Sequence, residues 1–221
     1  MNDSFHSHTS IFPGSQKKLW PSLKPVHQLG FVLHGGTAIV LRLGHRQSVD
    51  FDFFTEHTLE KPPLLLALPY LSAATILQDT PDTLTALVPV DGENVKLSFF
   101  GSIDFGRVGI PQWTSDQVCL VASADDLFAH KLKTILQRIE AKDYVDIVAL
   151  LQSGQHLETG LAGARALFGK SFQPAEALKA LVYFEGGDLK TLTDEQRNTL
   201  IRAAGQIRRI PVVAKLSHSL L

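Results

Sequence analysis

The chain has 221 residues, of which 44% are hydrophobic and 19% are charged, and its formal net charge is −1 at pH 7. These values are typical of a soluble globular protein that is long enough to bury a full core. No apolar run approaches the roughly 20 residues that cross a bilayer, and no secretory leader is evident. We therefore expect a cytoplasmic protein with no membrane partner. The single cysteine excludes an internal disulfide and a cysteine-based zinc site.

The two halves of the chain differ slightly in charge. Residues 1–120 hold 8 Lys and Arg against 11 Asp and Glu, whereas residues 121–221 hold 13 against 11. So small an asymmetry argues against a large nonspecific nucleic-acid surface, and it leaves room for a local basic patch in the second half.

The first elements surround a glycine pair. Residues 1–15 lack periodicity and are predicted to form a flexible N-terminal arm. Short helices interrupted by prolines are expected over 16–29. A short buried strand should then lead into Gly35 and Gly36, a turn where the backbone can approach a ligand closely. The next helix is predicted to end near Gly44.

A strand with two acids follows this helix. Val49, Phe51 and Phe53 alternate with Asp50 and Asp52, so strand periodicity predicts an apolar core face and an acidic opposite face. Two carboxylates roughly 5 Å apart repel each other by about 3 kcal/mol at an effective dielectric constant of about 20. A neutralising cation is therefore expected, and Mg²⁺ suits one or two carboxylates combined with phosphate oxygens.

The remaining pattern divides the chain near residue 122. The sequence first predicts a helix over 59–68, followed by strands over 74–77, 83–88, 94–100 and 118–121. A hairpin turn at Asp91 and Gly92 should join the strands 83–88 and 94–100. Helices follow over 123–139, 142–152, 158–167, 174–184 and 194–209. The predicted class is α+β, with a mixed sheet and flanking helices in residues 16–122 and a helical domain in residues 123–221.

The order of the glycine pair and the acid pair favours a nucleotide site. Thirteen residues separate them, enough for one helix and a return turn. Gly35, Gly36 and the helix N-terminus can offer N–H groups to phosphates, while Arg46 and Ser48 directly precede the acids. The alternative is a tight turn followed by two solvated acids on an edge strand.

These motifs resemble the AbiEii/AbiGii nucleotidyltransferase toxins, a branch of the DNA polymerase β-like nucleotidyltransferase superfamily. The resemblance spans about residues 28–152, and its motifs are 33–38, 46–54, 126–131, Arg138 and 142–146. It implies a minimal nucleotidyltransferase sheet followed by a helical bundle. It also implies NTP and Mg²⁺ as ligands, a separately encoded antitoxin as partner and, for some members, nucleotide addition to tRNA.

The resemblance also implies roles for individual residues. Gly35 and Gly36 match the phosphate-side turn, where many relatives have Gly-Ser, so that Thr37 would supply the hydroxyl. Asp50 and Asp52 match the metal-binding pair, which the nucleotide-binding Arg46 and Ser48 precede. Two further catalytic residues are implied, a lysine at the triphosphate and an acid on the next helix: Lys131 and Asp143.

Helical spacing places Lys131 and Arg138 two turns apart on one side of a helix. The alternatives are that Lys131 is an ordinary solvated lysine, and that Asp143 and Asp146 are acids favoured by a helix N-terminus.

One position departs from the family pattern. Such transferases usually carry a third acid on a neighbouring strand, but the matching strand here offers Ser98, with Lys96 on the same face. A serine is not a base at neutral pH, so either Asp143 substitutes or metal alone activates the acceptor hydroxyl.

The leading functional hypothesis is transfer of a nucleoside monophosphate from an NTP to a hydroxyl, either at the 3′ end of an RNA such as tRNA or on a protein. A degenerate member that binds nucleotide or a partner protein without catalysis is the main alternative. A haloacid-dehalogenase-like phosphatase fits less well, because Thr55 stands one residue late for that motif. A transition-metal site formed by His34 and His45 with the two acids is a further alternative.

Overall fold

The computed structural model describes residues 4–221, and the chain divides into two compact units. The first unit contains the described residues up to Gly106 together with Ile110–Ser123 and His218–Leu221. The second unit contains Arg107–Gly109 and Ala124–Ser217. The chain thus passes from the first unit to the second after Ser123, beside the boundary that the sequence pattern indicates.

A mixed sheet forms the first unit. In the described part of the chain it has eight strands in the spatial order β1-β7-β8-β2-β3-β6-β5-β4. Their bounds are β1 Ser4–Phe5, β2 Val32–His34, β3 Asp50–Phe54, β4 Thr75–Thr80, β5 Thr83–Val90, β6 Glu93–Phe100, β7 Gln112–Thr114 and β8 Leu120–Val121. The central strand β3 pairs antiparallel with β2 and parallel with β6. The predicted mixed sheet is confirmed, although β1 and β7 were not foreseen.

Local sequence explains several of these elements. The predicted hairpin between β5 and β6 is confirmed, and its turn residues Asp91 and Gly92 both have positive φ, at 51° and 82°. Helix α1 is Gly14–Leu19, and a 3-10 run over Trp20–Leu29 replaces the interrupted helices expected around its prolines. Helix α2, Gly35–Leu43, ends at Gly44 in the left-handed conformation, as predicted. Helix α3 is Lys61–Ala67.

The core of this unit lies under β3. Phe51 and Phe53 are buried, and their rings stack with centroids 6.3 Å apart. Phe53 also stacks on Phe99 of β6 at 5.4 Å. The sequence interpretation is wrong for Val49, which is 57% exposed because the strand begins only at Asp50.

The expected N-terminal arm is structured over residues 4–15, which corrects the prediction for those residues. Strand β1 pairs in parallel with β7, and the Phe5 ring lies under the guanidinium of Arg42 at 4.2 Å. Phe12 is buried against Trp20 and Phe51. A strand of two residues is too short to show the alternation by which a strand is recognised in a sequence. Its order depends on contacts with residues that are distant in the sequence. Residues 1–3 of the expected arm lie outside the described residues.

Helices build the second unit. They are α4 Ala124–Thr134, α5 Ala141–Gln152, α6 Leu157–Phe168, α7 Pro174–Val182 and α8 Asp194–Gln206. Gly160 allows α6 to approach α4, because a Cβ there would meet the Phe128 ring at 2.8 Å. Helix α4 ends five residues before the predicted Ile139. Within residues 4–221, we found no helix with the length and apolar content needed to span a membrane.

Candidate active site

The two acids of β3 lie on its polar face, between buried phenylalanines. In the parallel pairing with β6, Asp50 is opposite Lys96 and Asp52 is opposite Ser98. Lys96 Nζ lies 3.4 Å from Asp50 Oδ2, so a protein cation already offsets part of the charge that the sequence left unbalanced. No third acid faces the pair from β6, because Ser98 occupies that register position.

Gly35 brings the start of α2 against Asp52. Its φ is +73°, and a Cβ on this residue would stand only 2.5 Å from Asp52 Oδ2. The register of β2 with β3, which sets His34 opposite Asp52, produces this approach. A glycine is required here on two grounds, the left-handed backbone conformation and the space that the carboxylate fills. The structure thus brings the glycine turn and the acid pair together.

Gly36 makes a second close approach, to the basic residue that precedes the acids. A Cβ on Gly36 would lie 2.6 Å from Arg46 Nη2 and 3.4 Å from Ser48 Oγ. Arg46 Nη1 donates to the carbonyl oxygen of Gln47 at 2.7 Å. A guanidinium and a hydroxyl therefore border the N-terminus of α2, where backbone N–H groups favour an anion.

Thr37 differs from the expectation that its hydroxyl would meet a phosphate. The residue is 1% exposed, and its Oγ1 donates a short hydrogen bond to the carbonyl oxygen of Asp50. The same atom lies 2.8 Å from Ser48 Oγ. The Thr37 hydroxyl therefore links α2 to the start of β3 and fixes the position of the acidic strand relative to the helix.

The second unit holds a buried ionic cluster made of Lys131, Arg138, Asp143 and Asp146. Lys131 Nζ lies 2.6 Å from Asp143 Oδ1 and 2.8 Å from Asp146 Oδ2. Arg138 grips the same Asp143 with two donors, Nε at 2.7 Å and Nη2 at 3.0 Å. Two cations and two anions thus balance in a site where both aspartates are fully buried.

This cluster rules out the alternative that Lys131 is an ordinary solvated lysine. Its side chain is 7% exposed and lies between two carboxylates. The helical spacing between Lys131 and Arg138 is also wrong, because α4 ends at Thr134 and Arg138 lies in the connection to α5. Asp146, which the sequence analysis did not assign to the site, lies three residues after Asp143 on α5. Two acids at that spacing in an apolar helix were the available signal.

The ionisation of Asp143 follows from its partners. Burial alone would raise the pKa of this carboxyl, but the hydrogen bonds and charges of Arg138 and Lys131 outweigh it, so the pKa is below its usual range. An acid held ionised in this way is a poor proton acceptor at neutral pH. Asp143 is therefore better suited to holding cations than to deprotonating a hydroxyl.

Arg138 is the part of the cluster that solvent reaches. Its side chain is 45% exposed, and it borders a cavity of about 630 Å³ in the second unit, together with Ile139 and Tyr183. The buried carboxylate of Asp143 therefore holds the solvent-accessible guanidinium of Arg138 in a fixed orientation.

The histidines near the motifs belong to packing contacts. His34 is buried and stacks on Phe54 with centroids 4.7 Å apart. His130 packs edge-on against Phe168 at 5.2 Å, and burial with the nearby charge of Lys131 lowers its pKa to about 3. Within residues 4–221 no group of three or more His, Cys, Asp or Glu is arranged to hold a metal ion.

A mixed sheet with an acid pair beside a glycine-led helix, followed by a helical unit, defines a nucleotidyltransferase-like protein of the α+β class. The family model described as "Nucleotidyl transferase AbiEii toxin, Type IV TA system" matches residues 23–208. The chain belongs to this family, and it is a nucleotidyltransferase and a toxin of a type IV toxin–antitoxin system. It is also similar to an uncharacterized protein of Aquifex aeolicus (strain VF5), at 31% identity over 180 residues that cover 77% of this chain and 83% of that protein.

Proposed function

We propose that this enzyme transfers the nucleoside monophosphate of an NTP to a hydroxyl at the 3′ end of an RNA such as tRNA, with Mg²⁺ held by Asp50 and Asp52. The observation that carries the proposal is the packing of Asp52 Oδ2 against Gly35, 2.5 Å from a Cβ position. It sets a carboxylate beside the N-terminus of a helix, so that a metal-binding oxygen and phosphate-binding N–H groups converge.

The donor set fits Mg²⁺. The protein supplies two carboxylates on one strand face, and Mg²⁺ is bound in proteins by one or two carboxylates together with phosphate oxygens and water. When bound, the ion neutralises charge on the phosphates during transfer. Lys96 Nζ lies 3.4 Å from Asp50 Oδ2, and its positive charge weakens the repulsion between Asp50 and Asp52 in the absence of metal.

The phosphates are assigned to the start of α2. Gly35 and Gly36 present backbone N–H groups there, and Arg46 supplies a guanidinium beside Gly36. Ser48 adds a hydroxyl on the same side. These groups orient the triphosphate so that the acceptor oxygen bonds to the α-phosphorus while the bond to the pyrophosphate oxygen breaks.

Proton transfer needs no strong protein base in this proposal. Ser98 faces Asp52 but does not ionise near neutral pH, and Asp143 is held ionised by Lys131 and Arg138. The proton of the acceptor hydroxyl therefore passes to solvent as pyrophosphate leaves. Lys131 and Asp143 serve as positioning residues that orient Arg138, the accessible cation of the buried cluster.

The biological setting is part of the same proposal. The toxin of a type IV toxin–antitoxin system has a cognate antitoxin, which we take to be encoded by a separate gene. We assign the reaction to the cytoplasm, where NTP and tRNA are available. A hydroxyl group of a protein is the alternative acceptor.

The test incubates the protein with Mg²⁺, each α-³²P-labelled NTP in turn, and total bacterial RNA. We expect label on a defined RNA band with the parent, none with Asp52→Ala, and parent-like labelling with Asp104→Asn, which removes an exposed acid of the same unit. Label on protein alone would replace RNA as the acceptor. Labelling that persists in Asp52→Ala would remove Asp52 from the metal site.

A second candidate function is nucleotide binding without transfer. It is favoured because Ser98 stands where an acid is expected and because Lys96 already pairs with Asp50. In that case no NTP labels RNA or protein, while equilibrium dialysis still detects NTP bound to the parent.

A further inference from the structure

Basic side chains are concentrated in the last 26 residues of the chain. Residues 196–221 contain five Lys and Arg and no Asp or Glu. Two of these, Arg208 and Arg209, are adjacent and exposed in the segment that follows α8, and Lys215 lies farther along it. No ion pair forms to these three residues within the described part of the chain.

The fold adds a cation from a distant part of the sequence. Arg165 of α6 is exposed, and its Nη2 donates to the carbonyl oxygen of Pro211 at 3.1 Å. This bond places Arg165 beside the segment, between Arg209 and Lys215. We call the set Arg165, Arg208, Arg209 and Lys215 the basic ridge.

Backbone hydrogen bonds fix the far end of the segment. Arg107 and Ser217 form a β-bridge, with Arg107 N donating to Ser217 O at 2.9 Å and Leu216 N donating to Arg107 O at 2.8 Å. Between α8 and this bridge, residues 208–215 reach at most roughly 26 Å. A nucleic-acid strand rises about 3.4 Å per nucleotide in a duplex, so the segment can follow no more than about seven consecutive phosphates.

We propose that the basic ridge binds the sugar-phosphate backbone of the acceptor RNA. The inference rests on the proposed function for its choice of polyanion, and the arrangement of the charges supports it. Four cations on or beside one chain segment match a linear polymer of phosphates, and Arg208, Arg209 and Lys215 need not give up an ion pair within the described residues to bind it. Binding of this kind carries no base specificity and weakens steeply with salt.

The experiment measures binding of fluorescein-labelled unfractionated tRNA to the full chain by anisotropy over a series of NaCl concentrations, without NTP. The test variant is Arg208→Gln/Arg209→Gln. We expect its Kd at 100 mM NaCl to rise by about tenfold or more, and the slope of log K against log salt to fall by about 2, because each lost phosphate contact removes about 0.9.

The matched control is Lys170→Gln/Lys190→Gln, which removes the same charge from two exposed lysines of the same unit that lie off the segment. We expect its Kd to stay within about twofold of the parent. Equal weakening in both double variants, or none in the test variant, would overturn the proposal. Binding of the parent to vesicles of anionic phospholipid that tRNA does not displace would overturn it as well.

The labelling reaction separates this inference from the proposed function. If Arg208→Gln/Arg209→Gln labels RNA with an unchanged KM for RNA, the ridge assignment is wrong and the transferase proposal stands. If tRNA binding depends on the ridge but no NTP labels RNA in the parent, the acceptor assignment fails and the ridge remains an RNA-binding surface.

Discussion

Asp52 Oδ2 occupies the space beside Gly35, 2.5 Å from the point where any other residue would carry its Cβ. The carboxylate and the glycine cannot both keep their places if position 35 gains a side chain. This contact couples the position of a candidate metal ligand to the backbone conformation of the helix start, and it makes glycine at this position a requirement of the site as well as of the fold.

Gly35→Ala is therefore expected to be defective both in stability and in activity. The φ of +73° costs alanine about 1–2 kcal/mol, and the new methyl group displaces the Asp52 carboxylate. Urea unfolding should show the lower stability, and the labelling assay should show loss of transfer even where the variant is folded. The matched control is Gly205→Ala in α8, where a Cβ would have nothing within 4 Å. It should keep transfer and gain about 0.5–1 kcal/mol.

Growth inhibition supplies a cellular version of the metal-site test. Expression of the parent without its antitoxin should slow growth, whereas Asp52→Ala should be harmless at equal protein level, because the proposed metal site loses one of its two carboxylates. Asp104→Asn should remain as toxic as the parent. Toxicity of Asp52→Ala equal to that of the parent would show that growth inhibition does not depend on the proposed metal site.

Local patterns in the sequence were sufficient to predict much of the site in the first unit. Alternation set Asp50 and Asp52 on one face, and glycine spacing identified the helix start, because both signals act over a few residues. The family resemblance also predicted that Ser98, with Lys96 on the same face, stands on a strand next to the acids, and the pairing of β3 with β6 confirms it. The hydrogen bond between Thr37 Oγ1 and Asp50 O was not predicted, because it joins a helix and a strand whose relative position depends on tertiary packing.

The second unit shows where such reasoning stops. Lys131 looks like a surface residue in isolation, since lysine is seldom buried. Its burial depends on two acids that reach it from α5 and on a guanidinium from the connecting loop. Propensity predicted the helices to within a few residues, except that α4 ends at Thr134. Charge compensation over a sequence distance of twelve residues or more is a tertiary property that no local period records.

Lys131→Met should lower the free energy of unfolding by about 3–5 kcal/mol, because it removes the cation that lies between two buried carboxylates. Both partners, Asp143 and Asp146, lie within 2.8 Å of Lys131 Nζ and have fully buried side chains. Chemical denaturation monitored by circular dichroism gives the measurement. Lys133→Met, two residues away on the same helix, is the control: its half-buried side chain donates only to the backbone carbonyl of Ser171 and contacts no carboxylate, so the change should be small.

A compensating variant distinguishes loss of charge balance from loss of packing. Lys131→Met/Asp146→Asn keeps the bidentate pair of Arg138 with Asp143 and neutralises the other acid that contacts Lys131 in the parent. It should recover more than about 1 kcal/mol relative to Lys131→Met alone. Additive losses in the double variant would contradict the ionic account of this cluster.

Ser98→Asp restores the acid that the family pattern expects. Ser98 is buried and lies opposite Asp52, so a third carboxylate should lower stability in the absence of metal by like-charge repulsion. The same carboxylate should strengthen metal binding. Mg²⁺ or Mn²⁺ is therefore expected to raise the Tm of Ser98→Asp more than that of the parent. The neutral isostere Ser98→Asn should show no such gain, and equal shifts in all three proteins would place the metal away from β3.

Acid sensitivity is expected from His130. Burial, and then the charge of Lys131, lower its pKa to about 3 in the folded protein, whereas an unfolded histidine titrates near 6.5. Between those values the unfolded chain binds the additional proton, so the free energy of unfolding falls as the pH is lowered, by at most about 1.4 kcal/mol per pH unit. From pH 6.5 to 5 the parent should lose about 1.6 kcal/mol on this account.

His130→Leu should remove this part of the pH dependence, and the difference between the parent and variant slopes isolates the one residue. Phe168→Leu is the companion variant, because it removes the ring that packs on His130 at 5.2 Å and leaves the imidazole in place. It should lower stability at pH 7 by a cavity cost of about 1 kcal/mol while keeping a slope close to that of the parent. Urea titrations at pH 5, 6 and 7 measure all three proteins. Equal slopes in the parent and His130→Leu would mean that the imidazole is protonated as easily in the folded chain as in the unfolded one, which is incompatible with its burial beside Lys131.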